Sequence, residues 1–173
     1  AHESIVMVKN NGVLPLKPCR IALTGPNAAN AMNQLGDYTA FQRPGAISTV
    51  LDALKEEPDC EVRFEPGCRI RSMDRSGFAA AVAAAEKSDC CIAVLGGSSW
   101  HDAEETVDPV TGAVIGASGD TAESTEKESG EGTDRASLNL CGVQLELLRE
   151  LKKTGKPLIA VLIEGRPLQV DEI

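Results

Sequence analysis

Aromatic side chains are scarce in this sequence of 173 residues, at 3 % of the total. Hydrophobic residues nevertheless make up 42 %, so alanine, valine, leucine and isoleucine must form the core. That content excludes an intrinsically disordered chain, and the length suits one domain. An aliphatic core of this kind is typical of a sheet covered by helices.

Long apolar runs and basic patches are also missing. No run reaches the roughly 20 residues of a membrane-spanning helix, and no charged-then-apolar leader opens the chain. The opening residues instead resemble the middle of a folded protein, so we expect a processed or truncated chain whose export stays open. Without a basic surface, a nucleic-acid partner is not expected.

The six cysteines form no CxxC pair and no zinc-ribbon spacing. Cys90 and Cys91 are adjacent in an apolar run, so on a strand they point to opposite faces. We expect buried free thiols that act as small apolar residues, which favours a reducing compartment. We predict no cofactor and no metal site.

The net charge of −9 is concentrated in one segment. Between residues 101 and 135 there are ten acids against two bases, a local charge of −8. The acids are Asp102, Glu104, Glu105, Asp108, Asp120, Glu123, Glu126, Glu128, Glu131 and Asp134. This segment belongs to a stretch from 96 to 140 that is far longer than most connections, and such loops are generally functional or disordered.

Strand and helix signals alternate along the rest of the chain. Nearly continuous apolar runs predict buried strands over 19–24, 90–95 and 158–163, and an alternating run predicts an edge strand over 61–64. Helices are predicted over 49–55 with Ser48 as N-cap, over 78–87 and over 143–151, with Gly155 as the stop. Ile5, Val6 and Val8 suggest an opening helix.

This order predicts an α/β fold: an open, mostly parallel sheet flanked by helices in three layers. The sequence ends at Ile173, shortly after a strand that we expect to be central. We therefore interpret residues 1–173 as a single, incomplete α/β sandwich domain with a long acidic loop over 96–140.

In open α/β sheets, function lies at the carboxyl ends of the strands. The end at Thr24-Gly25-Pro26-Asn27 is only weakly like a nucleotide loop, because GxGxxG and a Walker lysine are absent and Pro26 lacks an N–H donor. Glu131 lies between two glycines, which let the backbone turn sharply and bring a carboxyl group close to a ligand. Nearby acids or burial suit such a group to proton donation. On spacing alone, a solvated acidic loop in which no single glutamate matters is the favoured interpretation.

Several segments, in this order, resemble the second domain of family 3 glycoside hydrolases. They are Glu3–Asn10 with Gly12–Leu16, Ile21–Ala28, Gly36-Asp37-Tyr38, Glu131–Arg135 with Leu138 and Leu140, and Gly155-Lys156-Pro157 to Gly165-Arg166-Pro167. The resemblance implies an α/β sandwich that lends an acid/base glutamate to an aspartate nucleophile on a (β/α)₈ barrel, for retaining hydrolysis of terminal β-linked sugars.

Glu131, in Ser-Gly-Glu-Gly, best matches the acid/base residue of that family, and Glu128 is the reserve candidate. The barrel and its nucleophile are absent from this sequence, so we expect the isolated chain to be inactive. The expected partners are a carbohydrate substrate and the parent barrel domain. Residues 101–127 look longer than the family's usual form, which leaves the placement of Glu131 less secure than the fold.

Other interpretations stay open. The chain could be a stand-alone flavodoxin-like module whose acidic loop binds a ligand, a cation or a basic partner, or a structural domain that packs on a barrel. His101, Asp102, Glu104 and Glu105 lack the spacing of a zinc site, and we expect them in an exposed loop. Trp100 could stack on a sugar or cap the core. Asp134 and Arg135 could form an ion pair, and Arg166 could anchor a turn.

Overall fold

The computed structural model describes residues 2–40, 42–43, 45–100, 106–107, 110, 114–115 and 126–170. In chain order the elements are β1 (Arg20–Thr24), α1 (Val50–Lys55), β2 (Glu61–Glu65), α2 (Phe78–Glu86), β3 (Cys90–Gly96), β4 (Thr106–Val107), β5 (Val114–Ile115), α3 (Gln144–Lys153) and β6 (Leu158–Ile163). Single 3-10 turns cover His2–Ser4 and Met32–Gln34.

Four strands form one parallel sheet in the order β2-β1-β3-β6. The predicted α/β fold with a parallel sheet is confirmed, as is the edge position of the alternating strand β2. β3 lies inside the sheet, and all seven of its residues are buried. This explains its continuous apolar sequence, because a strand covered on both faces has no solvent side for polar residues.

Successive side chains of β3 point into two separate cores. Cys91, Ala93 and Leu95 pack with α2 and α3, while Cys90, Ile92 and Val94 pack on the opposite face with α1. The predicted opposite orientation of the two adjacent cysteines is therefore confirmed. Small residues such as Ala81 and Ala85 on α2 fill the first core, which accounts for the low aromatic content.

The helix ends follow local sequence signals. Thr49 caps α1: its hydroxyl accepts from the Asp52 N–H at 3.1 Å, and the Asp52 carboxylate accepts from the Thr49 N–H at 3.0 Å. This reciprocal capping box corrects the prediction of Ser48, because only Thr49 has an acid three residues later. α3 ends as predicted, with Gly155 at a φ of +70° just beyond its last turn.

The predicted opening helix is wrong. Residues Ile5, Val6, Met7 and Val8 form no helix and are 66–92 % exposed, because β-branched residues are poor helix formers and nothing in the described chain packs against them. In the described sheet β6 pairs with β3 alone and its residues are half-buried, so a central position in the complete domain stays a prediction.

The long loop contains one element that the sequence analysis did not predict. Within 96–140, the described residues include a short antiparallel pair of strands, β4 and β5. Two residues per strand are too few for the alternating pattern that identifies a strand in a sequence. Among the described residues no helix has the length and apolarity to cross a membrane.

The buried thiols predict that the free energy of unfolding depends on pH. Burial raises the pKa of Cys91 to about 12, and burial together with the charge of Glu126 raises the pKa of Cys68 to about 12. In the unfolded chain a thiol ionises near pH 8.5. Their stabilising contribution is therefore complete below about pH 8.5 and falls as pH rises from there towards 12, by about 1.4 kcal/mol per pH unit and thiol.

We expect the free energy of unfolding of Cys91→Ala to fall less steeply with pH than that of the wild type, because the variant lacks one buried thiol. Urea titrations at pH 8, 9 and 10 measure this difference. Val94→Ala is the control, because it removes buried volume from the same strand without removing a titratable group. Parallel pH curves for wild type and Cys91→Ala would contradict the prediction.

Candidate functional site

The backbone at the carboxyl end of β3 is held by two buried amide side chains. Asn27 donates through Nδ2 to the carbonyls of Leu95 and Gly97, at 3.3 and 3.2 Å. Gln144 accepts from the Gly96 N–H at 3.0 Å and donates to the Gly96 carbonyl at 2.9 Å. Buried backbone groups need such partners where a strand ends, so side chains from two other segments hold this edge of the sheet in place.

A segment that we call the acidic arm, residues 126–135, crosses this edge. The Glu128 N–H donates to the Ser98 carbonyl at 2.9 Å, just beyond β3. The Arg71 guanidinium donates to the Lys127 carbonyl at 2.8 Å. The arm is thus attached to the segments beyond two different strands, β3 and β2, and lies at the carboxyl edge of the sheet, where α/β proteins bind ligands.

The first three residues of the arm are buried, in contrast to a fully solvated acidic loop. Glu126, Lys127 and Glu128 are 8 %, 4 % and 7 % exposed. The Glu126 carboxylate pairs with Arg69 at 3.0 Å and also accepts from the backbone N–H of Ile70. Buried charges of this kind are tolerated because each has an opposite charge or a hydrogen-bond donor.

Glu128, the reserve candidate, is the centre of a buried ion pair with Arg135. Ser129 donates to its other carboxylate oxygen at 3.2 Å. A Cβ on Gly97 would lie 1.9 Å from that oxygen, so only glycine lets the carboxylate pack here. Arg135 also donates to the carbonyls of Ser137 and Asn139. Glu128 therefore holds the two ends of the arm together.

Glu131 occupies the tip of a tight turn. The Thr133 N–H donates to the Gly130 carbonyl at 3.1 Å and closes the turn. Gly130 and Gly132 have φ values of +110° and +71°, a region that other residues adopt only with strain. Unlike Glu128, Glu131 is exposed. The turn therefore presents a carboxyl group outward from the arm.

Two side chains from the loop after β1 contact this turn. The Asp37 carboxylate accepts from the Glu131 N–H at 2.5 Å, and it pairs with Lys127 at 3.4 Å. The pKa of the exposed Tyr38 hydroxyl is raised, because the nearby Glu131 carboxylate favours the protonated, hydrogen-bond-donating form. Reasoning from the residues missed Asp37 and Lys127 as parts of the site. The family resemblance of Gly36-Asp37-Tyr38 was the one signal for Asp37, and Lys127 had none.

The remaining candidates separate into three groups. Asp134 does not pair with the Arg135 guanidinium, as considered above; it pairs with Arg166 at 3.3 Å, because Glu128 takes the Arg135 guanidinium. Trp100 is half-buried, which leaves stacking on a sugar and capping of the core both open. His101, Asp102, Glu104 and Glu105 lie outside the described residues.

In the turn after β1, the backbone N–H groups that could bind a phosphate are already used. The N–H groups of Gly25 and Asn27 donate to the carbonyls of Pro66 and Val94, at 3.0 and 3.2 Å. Weak support for a nucleotide loop is thereby lost, since such loops need backbone N–H groups that point at the ligand. Within the described ranges no group of three or more His, Cys, Asp and Glu side chains could hold a metal ion.

A cavity of about 370 Å³ adjoins the arm on the side of Glu126. Its lining includes Asn33, Arg69 and Cys68. Asn33 donates to Asn27 at 2.8 Å, while its own buried Oδ1 has no hydrogen-bond partner among the described residues.

One more carboxyl group, on Glu164, follows β6 at the same edge; partial burial and then the charge of Glu128 raise its pKa.

Comparison with known proteins agrees with this architecture. The family model of the glycosyl hydrolase family 3 C-terminal domain matches residues 5–173. A β-xylosidase of Formosa agariphila is 36 % identical over all of this chain, which spans 22 % of that protein. The chain spans about a fifth of the length of the curated relatives it matches.

Solved structures show the same fold. A β-glucosidase from Erythrobacter marinus matches 96 % of this chain with a TM-score of 0.68 and 30 % identity, over 23 % of its own length. A β-glucosidase involved in saponin metabolism from intestinal bacteria matches 94 % of this chain with a TM-score of 0.68 and 28 % identity, over 23 % of its length.

The buried Glu128–Arg135 pair predicts a strong response to removal of one partner. Arg135→Met leaves the Glu128 carboxylate buried without its cation, so we expect a loss of about 3–5 kcal/mol in the free energy of unfolding or faster proteolysis within the arm. The double variant Glu128→Gln, Arg135→Met should recover part of the loss, because no buried charge then remains unpaired.

The control is Arg63→Met, which breaks the Arg63–Glu61 pair at 2.9 Å on β2, where both side chains are about half exposed. An exposed pair contributes less than about 1 kcal/mol. Urea unfolding and limited proteolysis measure the effects. Similar losses for Arg135→Met and Arg63→Met would show that the Glu128–Arg135 pair does not anchor the arm.

Proposed function

Because this chain belongs to the glycosyl hydrolase family 3 C-terminal domain family, we propose that it is the α/β domain of a retaining β-glycosidase, with Glu131 as the acid/base residue. In the first step an aspartate from another part of the parent polypeptide attacks the anomeric carbon. Glu131 gives its proton to the glycosidic oxygen as the carbon–oxygen bond breaks. In the second step Glu131 takes a proton from the water that releases the sugar.

The outward position of Glu131 is the observation that supports this role. A retaining mechanism needs two carboxyl groups only about 5 Å apart, so a proton donor facing a nucleophile on another domain has to project from its own domain. Glu131 is exposed at the tip of a turn, at the carboxyl edge of the sheet. Glu128 is buried against Gly97 and paired with Arg135, which leaves it without access to a substrate.

The relatives support a substrate with a terminal β-linked sugar. One curated relative is a β-xylosidase, and the matching solved structures include β-glucosidases. We propose that the parent polypeptide acts on a β-xyloside or a β-glucoside, with the carbohydrate bound between this domain and a barrel domain. The isolated chain is then inactive, because proton donation without the nucleophile does not complete the reaction.

The proposal predicts a dependence on the leaving group. In the complete polypeptide, Glu131→Gln should lower kcat/KM for phenyl β-xyloside or β-glucoside by about 10²–10⁴-fold, the usual contribution of general acid catalysis. For the matching dinitrophenyl glycoside the loss should be below about 10-fold, because that leaving group departs without a proton. The two kcat/KM values report the bond-breaking step directly.

The matched control is Glu164→Gln, which removes another carboxyl group from the same edge of the sheet. It should change neither substrate's kcat/KM by more than about twofold, since only the proton donor is sensitive to the leaving group. Equal losses on both substrates for Glu131→Gln, or a leaving-group-dependent loss for Glu164→Gln instead, would overturn the assignment.

A further inference from the structure

A buried pair of charges lies directly beneath Glu131. Asp37 comes from the loop after β1 and Lys127 from the acidic arm, 90 residues later, and the Lys127 Nζ lies 3.4 Å from the Asp37 Oδ1. Their side chains are only 10 % and 5 % exposed. Two ionised groups therefore meet at this point with little contact with water.

Both members of the pair also bind the backbone of Glu131. The Asp37 Oδ2 accepts from the Glu131 N–H at 2.5 Å, and the Lys127 Nζ donates to the Glu131 carbonyl at 2.8 Å. The anion thus holds the donor of this residue, and the cation holds its acceptor. Hydrogen bonds to ionised groups are about twice as strong as neutral ones, so the backbone on both sides of the Glu131 Cα is fixed.

The close approach of the pair requires glycine at position 130. A Cβ there would lie 2.8 Å from the Asp37 Oδ2 and 3.1 Å from the Lys127 Cε. A Cβ at Gly132, by contrast, would meet nothing within 4 Å. The first glycine of Gly130-Glu131-Gly132 therefore makes room for the charge pair, in addition to allowing the turn.

Stability alone does not explain such a pair. Withdrawing two charges from water costs about as much as their attraction returns, and apolar residues of similar size would often stabilise a fold as well. An exposed carboxyl group on a loop tip would otherwise sample many positions, whereas proton transfer needs the donor within hydrogen-bond reach of the leaving oxygen. The pair has the geometry to remove that freedom.

We propose that Asp37 and Lys127 are positioning residues that fix the Glu131 turn and thereby set where its carboxyl group stands during proton transfer. This inference rests on the proposed function of Glu131. Each of them acts through the backbone of Glu131.

The test uses the complete polypeptide and the same pair of aryl glycosides. Asp37→Asn keeps an oxygen acceptor but loses the charge, and Asp37→Ala loses both. For the phenyl glycoside we expect kcat/KM to fall about 10-fold for Asp37→Asn and about 100-fold for Asp37→Ala and Lys127→Met, because a displacement of about 1 Å can cost that much. For the dinitrophenyl glycoside the losses should stay below about threefold.

A second measurement separates positioning from general damage to the fold. In a Glu131→Gln background, Asp37→Asn should have no further effect on the phenyl glycoside, because the group it positions can no longer donate a proton. Asp89→Asn is the matched control, since Asp89 pairs with Arg20 at 2.7 Å at the opposite end of β3. It should leave both substrates unchanged within about twofold.

If Asp37→Asn does not accumulate as folded protein, the double variant Asp37→Asn, Lys127→Met leaves no buried charge unpaired and should fold, with the same loss confined to the phenyl glycoside. Equal losses on both glycosides, or an undiminished loss in the Glu131→Gln background, would overturn the positioning role. Failure of Glu131→Gln itself to show a leaving-group effect would instead overturn the proposed function.

Discussion

The carboxyl end of β3 is the constraint on which the candidate site depends. β3 is buried on both faces, so where it ends at Gly96 its backbone groups have to find partners inside the protein. Asn27 and Gln144 supply them from the loop after β1 and from α3. The same edge then offers the Ser98 carbonyl to the acidic arm. Satisfying one strand end therefore also places the arm.

The acidic residues of the arm differ in burial, which the net charge of the chain does not show. The arm contributes several of the acids that make the chain negative, yet Glu126 and Glu128 are buried against Arg69 and Arg135. The carboxyl group at the turn, on Glu131, is exposed. Ion pairs thus anchor the arm at its base, while its tip presents an acid to whatever adjoins this edge. This division supports a role for the arm in proton transfer.

The sheet could be predicted from the sequence because its physical signal is local. Continuous apolar runs identified β1, β3 and β6, and alternation identified the edge strand β2. The opening helix was predicted wrongly, since an apolar stretch indicates burial without saying what covers it. The central place expected for β6 stays a prediction, because apolar composition reports how much surface a strand buries and the described sheet contains β3 as its neighbour.

The sequence by itself determined the α/β class, the helix and strand signals, and the glycine-flanked setting that makes Glu131 a candidate. Periodicity and turn chemistry act over a few residues, so they can be read directly along the chain. Only the tertiary structure decided between Glu128 and Glu131 as the outward-facing carboxyl group, and only it brought Asp37 to Lys127 across 90 residues. Burial and long-range ion pairs depend on how distant segments meet in space, which no local pattern specifies.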